Sequence, residues 1–170
     1  MGLLDVLNQY QQPTSRAPRE VLEDFDHVAR NADPDEIGHG LEEAFNSDST
    51  PPAEKMVGQL YEQSDDHTRA GLLNEILGSL GGGALGGAGG GILGGLLQRF
   101  GQGNRVSPED AHGVSPSEVE SATAEAAKQN PNVIQAISRF YAQHPQLVQT
   151  LGQAALGILM SGMARRRASN

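Results

Sequence analysis

Apolar side chains recur along this chain at intervals of three and four residues and nowhere alternate with period two over a useful length. That spacing gathers them on one face of an α-helix. Val21, Leu22, Phe25, Val28 and Ala29 form one such stripe. Asp33 then reads as an N-cap, with Pro34 at the first helical position and Glu36 at the third, opening a helix that carries Ile37, Leu41 and Phe45. A turn over residues 46–52 leads to a helix with Met56, Val57, Leu60 and Tyr61. Another follows Asp65 and Asp66, with Leu72, Leu73, Ile76, Leu77 and Leu80. Residues 18–80 thus predict four helices on short loops, which implies antiparallel neighbours. Residues 1–17 predict a short amphipathic helix on Leu3, Leu4, Leu7 and Tyr10.

Beyond a hinge at residues 101–105, two helix starts of one type stand close together, Val106-Ser107-Pro108-Glu109-Asp110 and Val114-Ser115-Pro116-Ser117-Glu118. Ser115 with Glu118 is a capping box, with Pro116 at the first helical position. Its helix carries Val119, Ala122 and Ala126. Asn130-Pro131 starts another, with Val133, Ile134, Ile137, Phe140 and Tyr141, and His144-Pro145 starts the last, through Val148, Leu151, Ala155, Ile158 and Leu159.

Between the two halves, residues 77–97 hold eleven glycines and no charge. Gly78, Gly82, Gly86, Gly90 and Gly94 repeat every four residues, and Ser79, Gly83, Gly87, Gly91 and Gly95 run beside them. On a helix these two rows are bare backbone, and Leu80, Leu85, Ile92, Leu93 and Leu96 supply apolar bulk. A repeated small-xxx-small pattern lets two helix backbones approach closely. The opposing consideration is energetic: eleven helical glycines in water cost about 10 kcal/mol relative to alanine. The uncharged span 76–97 would reach about 33 Å as a helix, near the thickness of a bilayer core. A close-packed helix, a membrane-associated helix and a linker are the three readings this leaves. The last helix repeats the theme with Gly152, Gly157 and Gly162, and ends in Arg165, Arg166 and Arg167.

Charge divides the chain. Residues 1–75 carry 16 acidic and 5 basic side chains (−11) and residues 76–170 carry 5 and 7 (+2), summing to the net −9. The acidic half repels phosphate backbones, so no nucleic-acid partner is expected. The arginine run is either a solubilising end or a contact for an anionic surface. No cysteine is present, which removes thiolate chemistry and fits a reducing, cytoplasmic setting, with association to a membrane surface as the alternative. The N-terminus lacks the basic region of a secretory signal, and Val6 stands where a myristoylation motif needs Ser or Thr.

Candidate chemistry is sparse. Asp24 with His27 and Glu36 with His39 have the i, i+3 spacing of bundle metal sites, with solvated charge as the competing reading. Asn31, Asp33, Asp35 and Glu42 match ligand positions of a calcium loop, but Glu36 stands at the turn glycine. Residues 81–95 lack the preceding strand and following Lys of a phosphate loop. No cofactor, metal or catalytic residue is expected.

The opening MGLLDVL, the glycine-rich apolar centre and the Val-Ser-Pro-Glu helix start before an Ala-rich helix resemble small bacterial proteins of the YidB-like type, a family of unknown function. The blocks 38–64 and 130–152 resemble hypothetical bacterial proteins of two-part layout. This covers about half the chain. It implies a small all-α bacterial protein without an assigned reaction, and brings no functional residues.

The expectation is therefore an all-α chain of two small helical modules, 18–80 and 106–170, joined over residues 81–105 by a glycine-zipper-like apolar segment and hinge. The expected role is non-enzymatic: an interaction or assembly protein, a homo-oligomer, associating through Gly78, Gly82, Gly86, Gly90 and Gly94 and through Gly152, Gly157 and Gly162. A membrane-associated protein and a metal-binding bundle are the alternatives. Replacing Gly86 and Gly90 together with Leu is expected to abolish any oligomer, read as mass by light scattering; an unchanged mass refutes the zipper.

Overall fold

The computed structural model describes residues 2–11, 17–80, 91–100 and 105–169. Among these the chain is all-α. In order the helices are α1 (Leu3–Gln9), α2 (Pro18–Asn31), α3 (Pro34–Phe45), α4 (Ala53–Gln63), α5 (Asp66–Ser79), α6 (Gly91–Phe100), α7 (Pro108–His112), α8 (Pro116–Gln129), α9 (Asn132–Ala142), α10 (Pro145–Val148) and, after a 3-10 turn at Gln149–Leu151, α11 (Gln153–Ala168).

Local signals place most helix starts where the sequence does. Ser107 accepts from the Asp110 amide at 3.2 Å while the Asp110 carboxylate accepts from the Ser107 amide at 3.2 Å. Ser115 and Glu118 do the same at 3.3 and 2.7 Å. Each reciprocal pair satisfies backbone donors that a helix start leaves open. Asp65 accepts from the Thr68 amide at 2.7 Å and opens α5.

The compact units do not follow the expected module boundaries. One comprises residues 1–52 with 138–170, the other residues 53–137. Nor do the front four helices pack chiefly on one another: α3 packs chiefly on α11, α4 on α8, and α5 on α7. The reason is shape and charge. In the first unit α11 is central, with Ala155, Leu156, Leu159, Met160 and Met163 buried, and α1, α2 and α3 lie against it. Gly40 of α3 meets it so closely that a Cβ there would sit 2.6 Å from the Leu159 carbonyl oxygen. In α1 the buried side chains are Val6 and Leu7, with Tyr10 just beyond its end, whereas Leu4 is 57% exposed, and in α2 Leu22 is 39% exposed. The stripes are narrower than expected because α11 covers one line of each helix. The Tyr10 hydroxyl donates to Asp24 at 2.8 Å, and Ser161 donates to the Tyr10 carbonyl at 2.9 Å.

In the second unit, Tyr61 of α4 is buried and donates to the Ala111 carbonyl of α7 at 2.7 Å. Burial pushes its phenol up to about 12, so it remains a donor at every ordinary pH. Asn74 of α5 bonds both backbone groups of Val106, accepting at 2.9 Å and donating at 3.2 Å.

The last helix, expected to be continuous from His144-Pro145, is broken. Gly152 has φ +86, in the left-handed region, and separates α10 and the 3-10 turn from α11. Gly91 has φ +81, in the left-handed region, at the head of α6. Gly82, Gly86 and Gly90 lie outside the described residues. No described helix is long and apolar enough to cross a membrane.

The packing separates two kinds of helical glycine. Gly40→Ala must push against backbone and is expected to lower stability by about 1–3 kcal/mol. Gly157→Ala, whose Cβ would meet nothing within 4 Å, is expected to raise it by about 0.5–1 kcal/mol. Urea unfolding followed by circular dichroism reads both; shifts of the same sign would contradict this account.

Candidate functional site

The first unit carries a charged seam where α3 meets α11. The helices run antiparallel, since Glu36 meets Arg167 while Glu43, two turns on, meets Arg165 and lies against Gly162. Glycine makes this possible: a Cβ at Gly162 would sit 2.5 Å from Glu43 Oε2. The acidic face of α3 and the basic end of α11 therefore close over an apolar contact at Gly40.

The Glu36 pair is bidentate, with Arg167 Nε donating to Oε1 at 2.8 Å and Nη2 to Oε2 at 2.6 Å. Two parallel charged hydrogen bonds are stronger and more directional than a single contact. The Arg167 guanidinium, aided by the charge of Arg166, holds the Glu36 carboxyl below the usual glutamate value of 4.5 against the opposing effect of burial. Glu36 in turn raises Arg167. The Arg165–Glu43 pair is more exposed and screened by solvent.

Beside the seam lies a cleft of about 440 Å³, lined by Asp35, Glu36 and His39 of α3, Arg139 of α9, and Arg166 and Arg167 of α11. Gly38 brings α9 to this wall: a Cβ on it would lie 3.5 Å from the Arg139 Cα. Among the described residues the side chains of Arg139 and Arg166 make no ion pair or hydrogen bond, although the charge of Arg166 is felt by Glu36.

The arginine run, read from the sequence as a solubilising end or an anionic-surface contact, is divided in its contacts. Arg165 and Arg167 hold carboxylates of α3, and Arg166 lines the cleft. Arg139 was not legible as its companion, because nothing local marks one arginine on an amphipathic helix. Of the glycines expected to mediate association, Gly162 is consumed inside the unit, Gly152 is an exposed bend, and Gly157 and Gly78 are open. Gly94 lies half-buried on α6. Leu80, Leu93 and Leu96, expected to face a partner, are buried in the second unit's own core, where α6 lies on α8.

No group of three or more His, Asp or Glu among the described residues could hold a metal ion. Glu36 is engaged by Arg167, and Asp24 by Tyr10. The calcium-loop positions fall on the end of α2 and on α3 itself, with no loop long enough to wrap an ion. At the head of α6 the Glu125 carboxylate accepts from the Leu93 amide at 3.0 Å, which puts negative charge where a phosphate would have to sit. Comparison with known protein families, with curated proteins and with solved structures finds no match to this chain.

The seam makes a pH prediction. Because Glu36 titrates lower in the folded chain than in the unfolded one, its contribution is full above 4.5 and is lost as pH falls through its folded value. Glu36→Gln is expected to cost about 1 kcal/mol at neutral pH. The gap to the parent should close on acidification. Urea midpoints measured against pH test this, and a gap independent of pH would contradict it.

Proposed function

We propose that the chain is a non-enzymatic interaction protein that self-associates through small-residue helix faces. One observation carries the reading. The chain repeatedly uses glycine to admit close approach, and at Gly38, Gly40, Gly58 and Gly162 the bare backbone already faces a neighbour. Gly78 of α5 and Gly95 of α6 differ: both are exposed helical glycines, and a Cβ on either would meet nothing within 4 Å. Each costs about 0.8–1.0 kcal/mol relative to alanine, with no contact in the described chain to offset it. A second copy brought against these faces supplies that contact, with half-buried Leu77, Ile92 and Leu97 alongside. Leu80, Leu93 and Leu96 remain with the core and position the two helices instead.

The double substitution Gly78→Leu and Gly95→Leu tests this without disturbing the fold, since both positions have room. The parent is expected to give an oligomeric mass by light scattering in buffer, and the variant a monomer with unchanged helix content. A monomeric parent, or a variant with the parent's mass, would overturn the proposal.

A further inference from the structure

The cleft between α3, α9 and the end of α11 is a second feature, independent of self-association. We propose that it binds the phosphate group of a small phosphate monoester, with Arg139 and Arg166 as the anion-holding residues.

The inference starts from the way charges are paired. Three guanidiniums, two carboxylates and a histidine line one concavity. Glu36 and Arg167 cancel each other through two hydrogen bonds, which also fixes both side chains as one wall. Asp35 is then the single carboxylate left, against the two guanidiniums of Arg139 and Arg166. In a chain of net charge −9, two arginines turned into the same cleft without carboxylate partners stand out. Asp35 shares the cleft with them and Glu36 feels the charge of Arg166, so two carboxylates, one of them already held by Arg167, face three guanidiniums.

Guanidinium forks match the oxygens of carboxylates and phosphates. The count favours phosphate. A lone carboxylate satisfies one guanidinium and leaves the other uncompensated, while a phosphate monoester carries close to two negative charges and enough oxygens for two forks. His39 stands on the same wall, its Nδ1 3.7 Å from the Glu42 carboxylate. A volume of about 440 Å³ falls in the range of small-molecule sites, so there is room for the body of an ester beside its phosphate. Asp35 opposes an anion but accepts a hydrogen bond from a hydroxyl, so an ester carrying a hydroxyl next to its phosphate fits best. Glycerol phosphate has this chemistry, and so does the monoester headgroup of a phosphatidic acid surface.

The test is titration of the intact chain with inorganic phosphate and with glycerol 3-phosphate by calorimetry, and flotation with phosphatidylcholine vesicles with and without a minor share of phosphatidic acid. Glycerol 3-phosphate is expected to saturate and to bind more tightly than inorganic phosphate. Arg139→Gln and Arg166→Gln, both exposed, should each weaken binding about tenfold or more. Arg165→Gln removes the same charge outside the cleft and should change affinity less than about twofold. Retention on phosphatidic acid vesicles without binding of the soluble ester assigns the phosphate to a lipid headgroup; binding of the soluble ester assigns it to a free ligand. Saturation by neither, or an equal loss in Arg165→Gln, would overturn the proposal.

Discussion

The first unit depends on the antiparallel approach of α3 to α11, and that approach depends on missing side chains. At Gly40 a methyl group would stand 2.6 Å from a backbone oxygen, so the two helices could not keep their present separation with any other residue there. Backbone at that distance does not yield cheaply, because interiors are already close-packed. The small contact then dictates what lies beside it. With the helices this close, Glu36 reaches Arg167 and Glu43 reaches Arg165, so the acidic face of one helix becomes the complement of the basic end of the other. The cations also sit in the last turn of α11, where the helix dipole favours them.

The second unit applies the same device with different partners. A Cβ at Gly58 would lie 2.5 Å from the Glu120 side chain, which lets α4 lie on α8. Gly91 is doubly constrained: its φ of +81 is in the left-handed region, and the space beside it is filled by Glu125. Glu125 thereby reaches the Leu93 amide in the first turn of α6 and supplies the negative charge that a helix start favours. Directional bonds complete the unit, from buried Tyr61 to the Ala111 carbonyl and from Asn74 to both backbone groups of Val106. With few aromatic side chains available, these polar contacts fix register where large rings would otherwise do so.

The surplus of acid in the front half and the basic end of the chain are two sides of one arrangement. Self-pairing consumes Arg165 and Arg167, and what remains is a cleft in which Arg139 and Arg166 outnumber Asp35. Part of the positive charge of an acidic protein is thus gathered in one concavity.

The sequence by itself determined the helices. Ser107 with Asp110, Ser115 with Glu118, Asp65 before α5, and the prolines at first helical positions act within a single turn, so their effect is readable from spacing alone. The same holds for buried lines such as Val21, Phe25 and Val28. Only the tertiary structure decided which helices meet. The front half looked like a self-contained bundle, but α3 belongs with α11, more than a hundred residues away, and α4 with α8. Nothing local distinguishes Gly40, pressed against a neighbour, from Gly157, which is open, nor marks Gly91 and Gly152 as bends. Arg139 and Arg166 are equally silent until the fold sets them on one cleft. Capping and periodicity are properties of adjacent residues; a bare backbone or a charge takes its meaning from whatever the rest of the chain brings against it.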